Sequence, residues 1–311
     1  MIQSVRHFLE YAGLWIVVGL FRLMPFQLSL RLAWGFAPFL STLYPVRKKI
    51  ILENLRTAFP DADPPRLKFI LKETYRNFLL FIVEFIKFDQ RTAYDLARQV
   101  TETEGEEYFK EVGGGERPFL ALTAHIGNWE LMGAYFAGRG VPLSVLAKPI
   151  HNPYVDRIVN KIRGRKGLEV ISIKDSPIKE VLQALKEGRC VAMLADQDAR
   201  RAGIFVNFFG RPASTFTGPA LFSVRTGLPL LPVFDIRTGI SQHKVVFLPP
   251  LYPSLGEESR EAAIKQLTEQ YVHILEEIIQ QYPGQCFWFH RRWKTRPSLR
   301  TEKDENSRNE S

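Results

Sequence analysis

Pro118-Phe119-Leu120-Ala121-Leu122-Thr123-Ala124-His125-Ile126-Gly127-Asn128-Trp129-Glu130-Leu131-Met132-Gly133-Ala134-Tyr135-Phe136 is the stretch that decides the fold. Its opening apolar run, Phe119–Thr123, reads as a buried strand, and its close reads as a helix near 129–139. Gly127 permits a tight turn between them, and Asn128 can cap the new helix. His125 and Glu130 stand five apart, a spacing that shares no face on a continuous helix. A turn between them folds Glu130 back towards His125, in a first helical turn where negative charge is favoured. A carboxylate holding an imidazole is the base half of a catalytic triad, and no serine or cysteine nucleophile lies beside this one. The proton to be removed is therefore expected on a substrate hydroxyl. The competing reading is a hydrogen-bonded structural histidine at a strand end. A metal site is not expected: the paired-histidine helical signature is absent, and His7, His151, His243, His273 and His290 are scattered.

Outward from this stretch the chain alternates. Strands are predicted at Phe119–Thr123, Leu143–Ala147, Glu169–Ile173, Cys190–Leu194, Leu230–Phe234 and Lys244–Leu248. Helices are predicted near 129–139, 153–164, 177–187, 216–226 and 258–282. This order predicts an α/β fold with a mainly parallel or mixed sheet flanked by helices. Ligands collect at the carboxyl ends of strands in such sheets, and His125 and Asp196 each follow a strand directly, so both can reach one crevice. Upstream, Arg47–Phe59 reads as a helix stopped by Pro60, and a longer one runs from about Pro65 to Phe88. Its Tyr75, Phe78, Phe81, Phe85 and Phe88 follow three- and four-residue steps. That stripe reads as core, with an acyl-chain groove or a bilayer-dipping surface as the functional alternative. Gly113-Gly114-Gly115 precedes a strand and lacks the Lys-Ser/Thr of a phosphate loop, so it reads as a plain turn.

The 311 residues carry a formal charge of +9, which implies an acidic partner. No zinc-finger, zipper or ribonucleoprotein signature supports nucleic acid. Cys190 and Cys286 lie outside any C-x-x-C, so no disulfide framework is expected and a reducing cytoplasm is compatible. At the amino terminus, Tyr11–Phe21 and Leu32–Val46 are uncharged but fall short of the ~18 residues of a clean span. Residues 11–30 can cross a bilayer if Arg22 snorkels, or lie in the interface anchored by Trp15, Phe21, Phe26 and Trp34. A buried core hairpin is the structural alternative; a secretory signal is disfavoured by Glu10 and by the lack of an A-x-A-like site. The expectation is a membrane-associated segment over 1–46, a main domain over 47–297 and a disordered polar tail over 298–311. Two basic clusters stand out: Arg157, Lys161, Arg163, Arg165 and Lys166, and then Arg291, Arg292, Lys294 and Arg296 interleaved with Trp288, Phe289 and Trp293. Arginine grips phosphate bidentately, so both are candidate clamps or landing patches, with a solvated helix face the plain reading of the first.

The His125–Glu130 block resembles the H-x-x-x-x-D/E element of the glycerolipid acyltransferase superfamily, most of all its bacterial lipid A biosynthesis branch, the lauroyl and myristoyl transferases. Further blocks are similar in the same order: Arg47 with Asn54-Leu55, Asp196-Gln197-Asp198, Gly203–Gly210, Pro212–Ala220 and Trp288–Pro297. Ile126 and Asn207 depart from the family's frequent Phe and Pro, and neither supplies a catalytic group. The resemblance implies an O-acyltransferase without metal or cofactor. Its donor would be acyl-acyl carrier protein, and its acceptor an anionic glycolipid of the Kdo-bearing lipid A precursor type. It also implies a place on the cytoplasmic face of the inner membrane. His125 is then the general base and Glu130 its orienting carboxylate. Arg163 or Arg165 is the expected oxyanion donor. Asn128, Arg157, Lys161, Asp196, Asp198, Arg291 and Arg292 are candidate substrate-binding residues. Acylation of a phosphatidylinositol mannoside, an ornithine lipid or a lysophospholipid uses the same dyad, and a non-catalytic lipid-binding membrane protein leaves Glu130 idle.

Overall fold

In a computed structural model, which describes residues 18–43, 45–173, 177–254 and 259–297, the Pro118–Phe136 stretch forms a strand, Leu120–Thr123, a turn, and a helix, Trp129–Gly138. Numbered along the chain, the strands of the main sheet are β1 Val100–Glu104, β2 Leu120–Thr123, β3 Leu143–Ala147, β4 Leu168–Ser172, β5 Cys190–Leu194, β8 Leu230–Arg237 and β9 His243–Phe247. The sheet has seven strands in the order β1-β9-β8-β2-β5-β3-β4, and only the β8–β9 pairing is antiparallel. The expected helix-flanked, parallel-rich α/β sheet is what the chain builds. Alternation sorts β2 between two cores. Phe119 and Ala121 pack with Met132 and Phe136 on one face; Leu120 and Leu122 pack with Tyr271 and Leu275 of helix Arg260–Gln281 on the other.

Two elements differ from the sequence expectation. Val100-Thr101-Glu102-Thr103-Glu104 carries no apolar pattern, yet it forms the exposed edge strand β1 beside β9. Polar, charged side chains suit such an edge, because they discourage pairing with another chain. The Gly203–Gly210 block, outside the predicted strands, opens a separate hairpin of β6 Ile204–Phe208 and β7 Arg211–Thr215. Phe209 and Gly210 join them with φ of 51° and 70°, the left-handed pair of a type I′ turn.

At the amino end, helix Phe26–Leu43 packs Leu30 and Ala33 against Leu80 and Val83 of helix Pro64–Phe88. Trp34 lies beneath the Arg76 guanidinium, 4.4 Å from its ring centre. No helix among the described residues is long and apolar enough to cross a membrane. The crossing expected over 11–30 is interrupted at its described end: helical turns over 18–23 stop before Pro25. Arg22 donates to Asp89 Oδ2 at 2.9 Å rather than snorkelling. Residues 1–17, with Trp15, and the tail over 298–311 lie outside the described residues.

Candidate active site

Strand register builds the centre of the site. β2 and β5 run parallel with Thr123 beside Leu194, so two residues further along each chain His125 and Asp196 meet. His125 Nδ1 lies 2.8 Å from Asp196 Oδ1. Burial pushes the Asp196 carboxyl up, but the charge and hydrogen bonds of His125 outweigh it and hold the carboxyl below its ordinary value. An ionised carboxylate only accepts, so Nδ1 carries a proton, and in the neutral imidazole the lone pair then lies on Nε2. The nearest polar contact of Nε2 is Gln197 Nε2 at 3.5 Å, too long to occupy it firmly. Trp129 meets the imidazole edge-on at 4.9 Å and is itself stacked by Phe81 at 4.1 Å. The aromatic stripe thus supports the wall of the histidine.

Glu130 does not reach His125. Its carboxylate accepts from Arg163: Nε lies 3.2 and 3.1 Å from Oε1 and Oε2, and Nη2 also donates to Oε1. The tautomer-fixing role expected of Glu130 is therefore corrected. A helix starting at Trp129 swings Glu130 towards helix Pro153–Arg165, while the end of β5 supplies the imidazole's partner. Burial lowers the Arg163 guanidinium and the Glu130 charge more than restores it, so it stays cationic. Arg163 Nη1 makes one long contact, 3.4 Å to Asn160 Oδ1. The two arginines expected to compete are separated: Arg165, two residues on, turns outward and pairs with Asp89. Arg157 and Lys161 are exposed on the same helix and stand outside the cavity described next.

A cavity of about 370 Å³ opens beside His125, Trp129, Glu130 and Arg163 and runs inward between the sheet and helix Trp129–Gly138. Small side chains create it. Ala121, Ala192 and Val145 sit in register across β2, β5 and β3, and Gly133 adds no side chain on the helix opposite. Its deeper walls are Met132, Phe136, Leu143 and Leu168. A Cβ on Gly133 would stand 2.9 Å from Leu168 Cδ1.

Beneath the turn lies a buried polar set that the sequence did not reveal. Asp235 Oδ1 accepts the Asn128 backbone N–H at 2.6 Å, and Glu84 Oε2 accepts Asn128 Nδ2 at 2.7 Å. The Asn128 side-chain oxygen caps Leu131 N at 2.9 Å. Asn128, of which a substrate contact was expected, is wholly buried with these groups committed to the turn and the polar set. His243 bridges Asp235 and Glu84, and Arg237 donates to both Glu84 oxygens at 2.6 Å. Gly127 has φ +57°, and a Cβ there would lie 2.0 Å from the Asp235 carbonyl oxygen, so only glycine lets the turn rest on this set. The available signals were a carboxylate inside an apolar strand run and another inside the aromatic stripe.

The remaining candidates hold loops together. Asp198 accepts Thr295 N and Oγ1 and Arg200 N, and its own N–H donates to His290 Nε2. Arg292, expected as a substrate clamp, is buried and donates to Ser214 O and Thr215 Oγ1. Arg291 is exposed. Arg47 donates to Phe289 O, and Asn54 to Trp288 O and His290 O, which ties the early block of the chain to its last. Among the described residues no three His, Cys, Asp or Glu side chains converge as metal ligands.

The family described as bacterial lipid A biosynthesis acyltransferase matches residues 2–295. The chain is 28% identical over 303 residues to a lipid A biosynthesis lauroyltransferase of Escherichia coli (strain K12), covering 94% of this chain and 93% of the relative. It is 26% identical over 302 residues to a lipid A biosynthesis palmitoleoyltransferase of the same organism, with 94% and 93% covered. A phosphatidylinositol mannoside acyltransferase of Mycobacterium tuberculosis (strain ATCC 25618 / H37Rv) is 29% identical over 178 residues, 56% of this chain and 55% of that one.

Proposed function

Because the chain belongs to the bacterial lipid A biosynthesis acyltransferase family, we propose that it moves a fatty acyl group from acyl-acyl carrier protein to a hydroxyl of a Kdo-bearing lipid A precursor. The observation that carries this reading is the apolar cavity, open at its mouth to a histidine with one committed and one available nitrogen. The acyl chain fills the cavity and brings its thioester carbonyl to the mouth. His125 Nε2 takes the proton of the acceptor hydroxyl as the oxygen attacks the carbonyl carbon. Asp196 holds the imidazolium that results. Arg163, held by Glu130, directs Nη1 at the tetrahedral oxyanion. The carbon–sulfur bond then breaks, His125 returns the proton to the thiolate, and ester and thiol leave.

Membrane placement rests on helix Phe26–Leu43. Leu28, Leu32, Phe36, Phe39 and Leu43 form one row along it and are 46–79% exposed, while the opposite face packs on helix Pro64–Phe88. An outward apolar row of this kind suits a helix lying in the bilayer surface. The orientation that serves a carrier-borne donor is the cytoplasmic face of the inner membrane.

Mass spectrometry of lipid A from cells lacking this chain tests the reading. The expected result is a species short of one secondary acyl group, restored by the wild-type chain and not by His125→Ala. Unchanged lipid A overturns the acceptor. Purified chain offered a phosphatidylinositol mannoside then tests the acceptor named by the mycobacterial relative.

A further inference from the structure

Three neighbouring parallel strands end at the cavity, and each delivers a charged or titratable residue to its edge. β2 leads to His125, β5 to the segment from Asp196 to Arg200, and β3 to Lys148. Lys148 and Arg200 both line the cavity that His125 lines, and both are exposed. The carboxylates around them are already engaged: Asp196 with His125, Glu130 with Arg163, and Asp198 with Thr295 and the Arg200 backbone. Neither Lys148 nor Arg200 forms an ion pair with a carboxylate among the described residues. The mouth therefore carries two cationic side chains that no ion pair ties down beside the reacting centre. Elsewhere near the site the arginines are tied down, Arg163 by Glu130, Arg165 by Asp89 and Arg292 by Ser214 and Thr215.

Arg200 is also held in place by its backbone. It has φ of 56°, an uncommon state for a residue with a side chain. Its N–H donates to Asp198 Oδ1 at 2.6 Å, and its carbonyl oxygen accepts Ser214 Oγ at 2.5 Å. Such a segment presents its guanidinium from a fixed point. A planar guanidinium and a compact ammonium at the same rim suit the oxygens of a phosphate group.

Resting on the acyltransfer reading above, we propose that Lys148 and Arg200 form a subsite for a phosphate ester at the cavity mouth. The cavity takes the hydrocarbon and His125 the hydroxyl, so the rim is where an anionic headgroup comes to rest. Two substrates carry this chemistry, the acceptor headgroup and the pantetheine arm of the donor.

Kinetics of Lys148→Gln and Arg200→Gln decide the matter, since both side chains are exposed and their loss leaves the core intact. Each variant should raise one KM by about tenfold or more, as for a lost charge-assisted bond, with kcat little changed. A rise in acceptor KM that vanishes with a dephosphorylated acceptor assigns the subsite to the acceptor. A rise in donor KM that vanishes with a phosphate-free pantetheine thioester assigns it to the donor. Unchanged KM values, or equal losses with the phosphate-free substrates, overturn the subsite. A thermal-shift titration with inorganic phosphate reads binding without turnover. The wild type should gain Tm with phosphate and the double variant should not. If the wild type transfers no acyl group yet keeps that phosphate response, the acyltransfer reading fails and the subsite stands. An equal response in wild type and double variant overturns the subsite alone.

Discussion

Two histidines in this fold make the same bond and face opposite circumstances. His125 Nδ1 lies 2.8 Å from Asp196 Oδ1, and His243 Nδ1 lies 2.8 Å from Asp235 Oδ1. His125 is 23% exposed at the cavity mouth, whereas His243 and both its acidic neighbours are sealed. The second nitrogen differs more. His125 Nε2 is open to the cavity, while His243 Nε2 meets Glu84 at 3.2 Å. Burial lowers His243, Asp235 and Glu84 raise it further than that, and Arg237 opposes them; the net shift is upward. A histidine held charged between two carboxylates has no lone pair to offer. The comparison teaches that a histidine–aspartate bond is not in itself a base. An unoccupied second nitrogen beside a space for substrate makes it one.

The comparison breaks most visibly at the two histidines and their partners. His125→Ala should lower kcat by about two to four orders of magnitude with the fold intact. Asp196→Asn should cost up to about four orders, because the wrong tautomer then faces the substrate. Steady-state rates at matched folded fraction measure both. An equal kcat loss in a well-folded His243→Gln protein would erase the distinction between the two sites. Asp235→Ala should instead act on stability, by about 3–5 kcal/mol, since it leaves a buried charge unpartnered. Urea unfolding reads this directly.

The two sites also separate with pH. The folded pKa of His243 is raised above the ordinary value of about 6.5. Its contribution is therefore complete below about 6.5 and is lost as pH rises through the higher folded value. Burial raises the Glu84 carboxyl, but Arg237 and His243 together pull it down to about 2. Its contribution is present above about 4.3 and is lost as pH falls towards that value. Urea midpoints across pH should show both limbs, and His243→Gln should remove the alkaline one. Persistence of that limb in the variant would place the titrating group elsewhere.

The smallest expected effect lies at the cavity floor. Gly133→Ala places a methyl 2.9 Å from Leu168 Cδ1, so the leucine must shift and the new methyl takes space from the cavity that both residues line. One methylene of lost space is worth about 0.8 kcal/mol, so preference should move towards a shorter donor chain by about fourfold. Competition between two donors of different length measures it, and an unchanged ratio would remove Gly133 from the floor.

Local chemistry was enough for much of this protein. The apolar run at Phe119–Thr123, the Gly127 turn and the Asn128 cap announced a strand, a turn and a helix, because periodicity and backbone preference act over a few residues. The α/β alternation followed from the same signals, and so did the placing of His125 and Asp196 after strand ends that open on one crevice. Partner choice was decided only by the tertiary structure. Glu130 went to Arg163 because the helix axis turned it away from the imidazole, and β5 brought Asp196 in its place. Arg163 and Arg165, alike in sequence, were sorted by the helical turn that sends one into the cavity and the other to Asp89. Asp235 and His243 face each other across the β8–β9 pair, but Glu84 comes to them from a helix far earlier in the chain, and no spacing along the chain records that. Strand order and register are set by the packing of whole faces, so side chains that meet across the sheet share no local signature.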